Sequence, residues 1–201
     1  MPPTIVSKAN RLIGLIFKSF TYIDTTMFLN LYKSLIRPNI EYASCIWNPM
    51  LLKDKIVIDN VKRRATKRLN GLTNLSYEQR LRSLGLPSLE YRRKRSDLIQ
   101  IFKIINNIDE VDKDKLFTMS PITSTSDHSK KILKPVSRLE VTKHRFNSRI
   151  VDIWNNLPEN VVSAKSVNSL NRALTSTGTM NPPNSLLLVI VLPDRLFDHI
   201  Q

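Results

Sequence analysis

An all-α protein is the fold class this sequence predicts, and three observations carry it. Apolar residues recur at spacings of three and four along most of the chain, alternation at a spacing of two is scarce, and only 4 glycines occur in 201 residues. The expected architecture is a helical bundle of four to six helices over 1–108, a loop over 109–137, a small helical unit over 138–175 and an irregular tail over 176–201. A hydrophobic fraction of 41% with 24% charged residues supplies enough apolar side chain for a core and argues against a wholly disordered chain.

The first helix is expected from about Ser7 to Phe20, with Leu12, Ile13, Ile16 and Phe20 on one face. Asp24 is a good N-cap for a second helix striped by Phe28, Leu31, Tyr32 and Leu35 until Pro38 interrupts it. Pro38 suits the first position of another, which would turn Ile40, Ala43, Ile46 and Trp47 inward before Pro49. From Asp54 to Leu69, the residues Ile58, Val61, Ala65 and Leu69 fall on one stripe. Ser76 and Gln79 stand at capping-box spacing, and Gly85 followed by Pro87 stops that short helix. Ser88 is placed to cap a helix that runs through Arg92, Arg93, Lys94 and Arg95 into Leu98, Ile101, Phe102 and Ile105, ending near Asn106–Asn107.

Acidic and then Ser/Thr-rich composition predicts a surface loop from Asp109 to about Lys134. Beyond it Phe146, Ile150, Ile153 and Trp154 share a face, Leu157–Pro158 ends that helix, and Ser166 is placed to cap a last helix through Leu170 and Leu174. Trp47 and Trp154 are read as core residues, as packing residues are Tyr77 and Tyr91. After Thr175 the pattern collapses.

Lys and Arg number 31 against 17 Asp and Glu, a net charge of +14. The surplus is clustered. Residues 53–103 hold 14 basic and 5 acidic side chains and 130–149 hold 7 and 1, whereas 104–129 are net acidic. Clustered positive charge creates a local field that attracts a polyanion and releases its counterions, so nucleic acid is the leading partner class and an anionic membrane surface the second. Arg suits phosphate because its planar fork matches two oxygens at once. The expected contacts are Lys62, Arg63, Arg64, Lys67, Arg68, Arg92, Arg93, Lys94, Arg95, Lys143, Arg145 and Arg149.

Chemistry is harder to find. No Asp-Asp pair exists, and Asp109, Glu110, Asp112 and Asp114 lack the Gly and distal Glu of a calcium loop. The glycines never fall within one phosphate-cradling window. One Cys (Cys45) and three scattered His (His128, His144, His199) exclude a disulfide framework and a zinc finger. No catalytic residue, metal or cofactor is expected. No apolar run approaches the roughly 18 residues of a membrane span, and no secretory leader is evident. An intracellular chain, nuclear or cytoplasmic, is expected.

Four stretches in order, LYKSLIRPNIEYASCIWNP (31–49), RRATKRLNGL (63–72), LSYEQRLRSLGLPSLEYRRKRSDLIQIFKIINN (75–107) and FNSRIVDIWNNLPENVVSAKSVNSL (146–170), together resemble one family. The region that follows the polymerase core in non-LTR retrotransposons of the jockey type is similar to them, over about residues 8–174. In those polyproteins the region forms the thumb and a C-terminal extension behind an endonuclease and a reverse transcriptase. The resemblance implies a helical thumb-like unit that grips an RNA–DNA or DNA duplex, with a polymerase palm domain as its neighbour in a longer polyprotein. It places the family's basic positions at Arg63, Arg64, Lys67, Arg92, Arg93 and Arg95. The family's Tyr-x-Asp-Asp signature has no match in this chain, so no metal-binding residue carries over and the chain is not expected to be an enzyme by itself. Where the family continues with Phe-Lys and Leu-Asp, this sequence has Leu170 and Asn171, which implies a truncated element. The competing expectation is a non-functional remnant, or a helical protein-interaction module that depends on a missing partner domain.

Overall fold

The computed structural model describes all residues except 1–2, 50, 122–127, 137 and 177–201. The described residues are mostly helical, as the spacing predicts, with one two-stranded antiparallel pair. Helix α1 spans Pro3–Ser19 and buries Ala9, Ile13 and Ile16, while Phe20 lies just beyond its end and is exposed. Asp24 caps α2 (Thr25–Leu31) by accepting from the Met27 amide at 2.6 Å.

Pro38 neither ends this helix nor opens one that reaches Pro49. The chain passes through a π-helical turn at Tyr32–Ile36 into α3 (Arg37–Glu41), with the Arg37 amide donating to the Tyr32 carbonyl. Proline has no N–H to continue an α ladder and its ring crowds the carbonyl four residues back; a widened turn just before it accommodates both. Helical backbone then stops at Tyr42, and Ala43 takes φ +51°. The expected inward stripe therefore fails at Ile46, which is 86% exposed.

Helix α4 (Leu52–Lys67) buries Ile58, Val61 and Ala65, and Leu69 is buried just past its end. Helix α5 (Tyr77–Ser83) has both bonds of the Ser76–Gln79 capping box. It closes as a Schellman motif, with Leu86 N donating to Leu81 O and Gly85 N to Arg82 O, and Gly85 at φ +58° supplies the left-handed residue this needs. Ser88 caps α6 (Leu89–Ile105), which ends in the same motif with Asn107 at φ +53°.

The 109–137 segment is more than a surface loop. A 3₁₀ turn at Lys113–Lys115 leads to β1 (Thr118–Met119), which pairs with β2 (Ile132–Leu133), Met119 opposite Ile132. Phe117, just ahead of β1, and Ile132, within β2, are buried in the same core as the second half of α6. The part of the Ser/Thr-rich stretch at 122–127 lies outside the described residues. Helices α7 (Glu140–Lys143), α8 (Phe146–Arg149), α9 (Val151–Asn155), α10 (Glu159–Val162) and α11 (Val167–Ser176) follow. Ser166 accepts from Ser169 N ahead of α11, and Leu170 and Leu174 are fully buried.

Two apolar cores result, and they divide inside α6 rather than at the loop. Ala9 through Leu89 form the first; Leu98, Ile101, Phe102, Ile104 and Ile105 join Ile150, Trp154 and Leu170 in the second. One helix thus serves both units. Trp154 is fully buried, and its Nε1 donates to Lys130 O at 2.8 Å. His128 packs edge-on against that indole and bonds the Trp154 carbonyl through Nε2, while its Nδ1 accepts from Lys130 N. Trp47 is partly buried against the first core. Tyr77 and Tyr91 both pack, as expected, in the first and second cores respectively. The tail from residue 177 lies outside the described residues.

Candidate nucleic-acid interface

The twelve basic residues singled out by charge and spacing divide into three sets. Arg64, Lys67 and Arg68 are exposed at the C-terminal end of α4. Arg68 lies over the Phe17 ring, 4.4 Å from its centroid, so the last turns of α1 and α4 meet. Lys18 in the last turn of α1 therefore belongs to the same end of the bundle. None of these four side chains forms an ion pair among the described residues. Lys18 escaped the sequence reading because its neighbours in space are about fifty residues away; the only available signal was its place in a last helical turn. Their charge also complements the negative ends of α1 and α4.

Lys143 and Arg145 are exposed as well, on and after α7. Lys143 pairs with Glu140 one turn back, and Arg145 has no ion pair among the described residues. Lys94 is half-buried and pairs with Glu90 at 3.0 Å.

The third set faces inward, and for Lys62 and Arg149, which are spent on partners inside the protein, the expectation of a phosphate contact is corrected. Lys62 is 1% exposed and donates to the Pro87 carbonyl. Position 62 follows Val61 on the flank of the apolar stripe, and the Pro87 turn closes over it. Burial pushes its ammonium down to about 8 despite the nearby Asp59 carboxylate. Arg63 lies 4.2 Å from the Tyr77 ring centroid and is partly buried. Arg93 is 5% exposed. Arg149 grips buried Asp97 through Nε and Nη2, each at 2.9 Å, and also donates to the carbonyls of Cys45 (2.9 Å), Ser44 (3.3 Å) and His144 (3.1 Å). It ties the Ser44–Cys45 turn of the first unit to the second. Burial raises the Asp97 carboxyl even so, an effect that outweighs the Arg149 bonds opposing it.

Arg92 forks onto Glu41 at 2.5 and 2.8 Å. Arg95 reaches α11, donating to Asn171 Oδ1 and its carbonyl and to Thr175 Oγ1. Four consecutive basic residues thus take different partners around α6, because successive residues on a helix are about 100° apart. A basic run on one helix is not one basic face.

Cys45 is partly buried, with its Sγ 3.5 Å from Ser96 Oγ, and burial pushes its thiol up, away from nucleophilic character. Asp109, whose carboxylate meets Lys103 at 3.5 Å and Gln100 at 2.7 Å, closes the turn after α6. Among the described residues no cluster of His, Cys, Asp or Glu has the geometry to hold a metal ion, and no helix is long and apolar enough to cross a membrane. No family model matches the chain, and neither a curated protein nor a solved structure matches it significantly.

Proposed function

We propose that the chain binds duplex or structured nucleic acid by phosphate contacts, as a thumb-like piece of a jockey-type retrotransposon reverse transcriptase that does no chemistry itself. The observation that carries the reading is the unpaired cluster Lys18, Arg64, Lys67 and Arg68 at one end of the first unit. Four cations without carboxylate partners hold condensed anions in solution, and a backbone of regularly spaced phosphates replaces those anions with a gain in counterion entropy. Such contacts position a duplex without reading its bases. Arg145 extends the basic surface on the second unit.

Four neutralised phosphates give a slope of log K against log salt of about −3.6, so affinity falls roughly 10²- to 10³-fold between about 50 and 300 mM salt. Fluorescence anisotropy with RNA–DNA and DNA duplexes measures it. Reversing Arg64 and Lys67 to Glu reduces the slope by about 2 and weakens all sequences alike. Affinity independent of salt sinks the phosphate mechanism.

A second reading, a helical module that needs a partner domain, is favoured by large apolar side chains left in water. Leu15, Tyr22, Tyr42 and Ile46 are 61, 70, 76 and 86% exposed. Self-association in sedimentation velocity together with absent duplex binding selects that reading.

A further inference from the structure

A cleft of about 220 Å³ opens between the turn after α3 and one face of α6, lined by Glu41, Ser44, Arg92, Arg93, Arg95 and Ser96 and ending on Ile99. It is several times the roughly 30 Å³ that a water occupies in the liquid. Three guanidinium groups and one carboxylate share this space, so its charge depends on which cations are already neutralised. Glu41 is taken: Arg92 forks onto both of its oxygens and Arg37 Nε lies 3.9 Å away. Arg95 is anchored only by uncharged acceptors, at Asn171, Thr175 and Tyr91, which fix its position and leave its charge intact.

Arg93 is the unusual member. It is 95% buried, lines the cleft and makes no hydrogen bond or ion pair among the described residues. The little surface it keeps lies on the cleft, and its donors are uncommitted to any acceptor of the described protein. Its ordinary affinity for the proton is lowered by that burial, with Asp59 opposing from a distance. The hydroxyl of Ser44, a residue only 4% exposed on the cleft lining, also makes no hydrogen bond among the described residues, and the left-handed Ala43 beside it shapes the turn that brings it here. Among the described residues, Ser96 Oγ has only the Cys45 thiol, at 3.5 Å. Unused donors on two chain segments therefore surround a space with a surplus of two positive charges.

We propose that this cleft binds a phosphate group, with the buried Arg93 guanidinium as its fork, Arg95 as a second cation and the Ser44 and Ser96 hydroxyls as neutral donors. A tetrahedral oxyanion has enough oxygens to meet donors from both the turn and α6, which the two oxygens of a carboxylate do not. The site stands on the cleft's own geometry; only nucleic acid as the source of the phosphate rests on the proposed function. That source is a strand terminus or the duplex backbone, against free phosphate.

Calorimetry of the full chain with inorganic phosphate, at ionic strength held constant with chloride, is expected to find one site per chain. Arg93→Leu weakens it by at least about tenfold, the loss of one charged hydrogen-bonding group. Because a change at Arg93 can disturb folding, a second measurement uses the unaltered chain: phosphate slows phenylglyoxal labelling of Arg92 and Arg95 several-fold while Arg64 reacts as before. Duplexes with 5′-phosphoryl and 5′-hydroxyl ends then separate the sources. Tighter binding of the phosphorylated end assigns the cleft to a strand terminus; equal binding that inorganic phosphate displaces assigns it to the backbone. Phosphate binding without any duplex binding keeps the site and refutes the nucleic-acid reading. Phosphate no better than chloride, with labelling unprotected, overturns the proposal.

Discussion

Replacing Arg149 by methionine keeps the aliphatic stem and removes a guanidinium that holds the two cores together. Its five donor bonds all end inside the protein: two on Asp97 and three on carbonyls at Ser44, Cys45 and His144. The side chains of Arg149 and Asp97 are 13% and 4% exposed, so solvent screens the pair little. Removing one partner of a buried pair costs about 3–5 kcal/mol, because the other charge is left unpaired in low dielectric. We expect about 3 kcal/mol here, given the residual exposure on the arginine side. Urea denaturation followed by circular dichroism measures it, and a cycle with Asp97→Leu isolates the pair. The double variant recovers about 1–3 kcal/mol of the summed single losses. Acidity supplies a further check. Burial already holds the Asp97 carboxyl above its ordinary value; without Arg149 it rises further. A group whose folded value exceeds its unfolded one contributes stability at low pH and loses it as pH rises through the folded value. The deficit of the variant is therefore largest at neutral pH and narrows on acidification. A single-variant loss below about 1 kcal/mol, or strictly additive singles, refutes the bridging role.

Lys62 gives the opposite pH signature. Its folded value of about 8 lies below the ordinary 10.5, so the unfolded chain binds the extra proton between them and stability rises with pH across that window. Lys62→Met removes this rise, by about 3 kcal/mol at most, and leaves duplex affinity unchanged, since Nζ is sealed beneath Pro87; pH-dependent denaturation and anisotropy on one variant test both. A duplex affinity that falls with Lys62→Met would show the ammonium reaching phosphate after all. Trp154→Ala empties the centre of the second core and is expected to cost about 3–5 kcal/mol in a thermal or urea transition; a loss under about 1 kcal/mol contradicts the packing described.

Much of this fold was legible along the chain because its signals are local. The Asp24 and Ser88 caps, the Ser76–Gln79 box and the Gly85 stop each involve atoms within five residues, so spacing alone located them. The stripes Ile58–Val61–Ala65 and Leu170–Leu174 follow from helical period in the same way. Pro38 misled because a π-helical turn is a backbone adjustment that composition does not announce. The split of the apolar residues into two cores was not legible, because a single helix, α6, changes partners between Leu89 and Leu98 with no break in its sequence pattern.

By itself the sequence determined the helical class, most helix ends and a positive surplus concentrated in two segments, since each depends on residue type and near spacing. Tertiary structure alone decided what each charge does. Arg92 answers Glu41 from 51 residues away, Arg149 answers Asp97 from 52, and Arg95 answers Asn171 from 76. An electrostatic partner is chosen by distance through space, and burial sets how much that partner matters. The same run of Arg and Lys therefore became bridges within the protein, while Arg64, Lys67 and Arg68 alone among the 62–68 cations stayed in water.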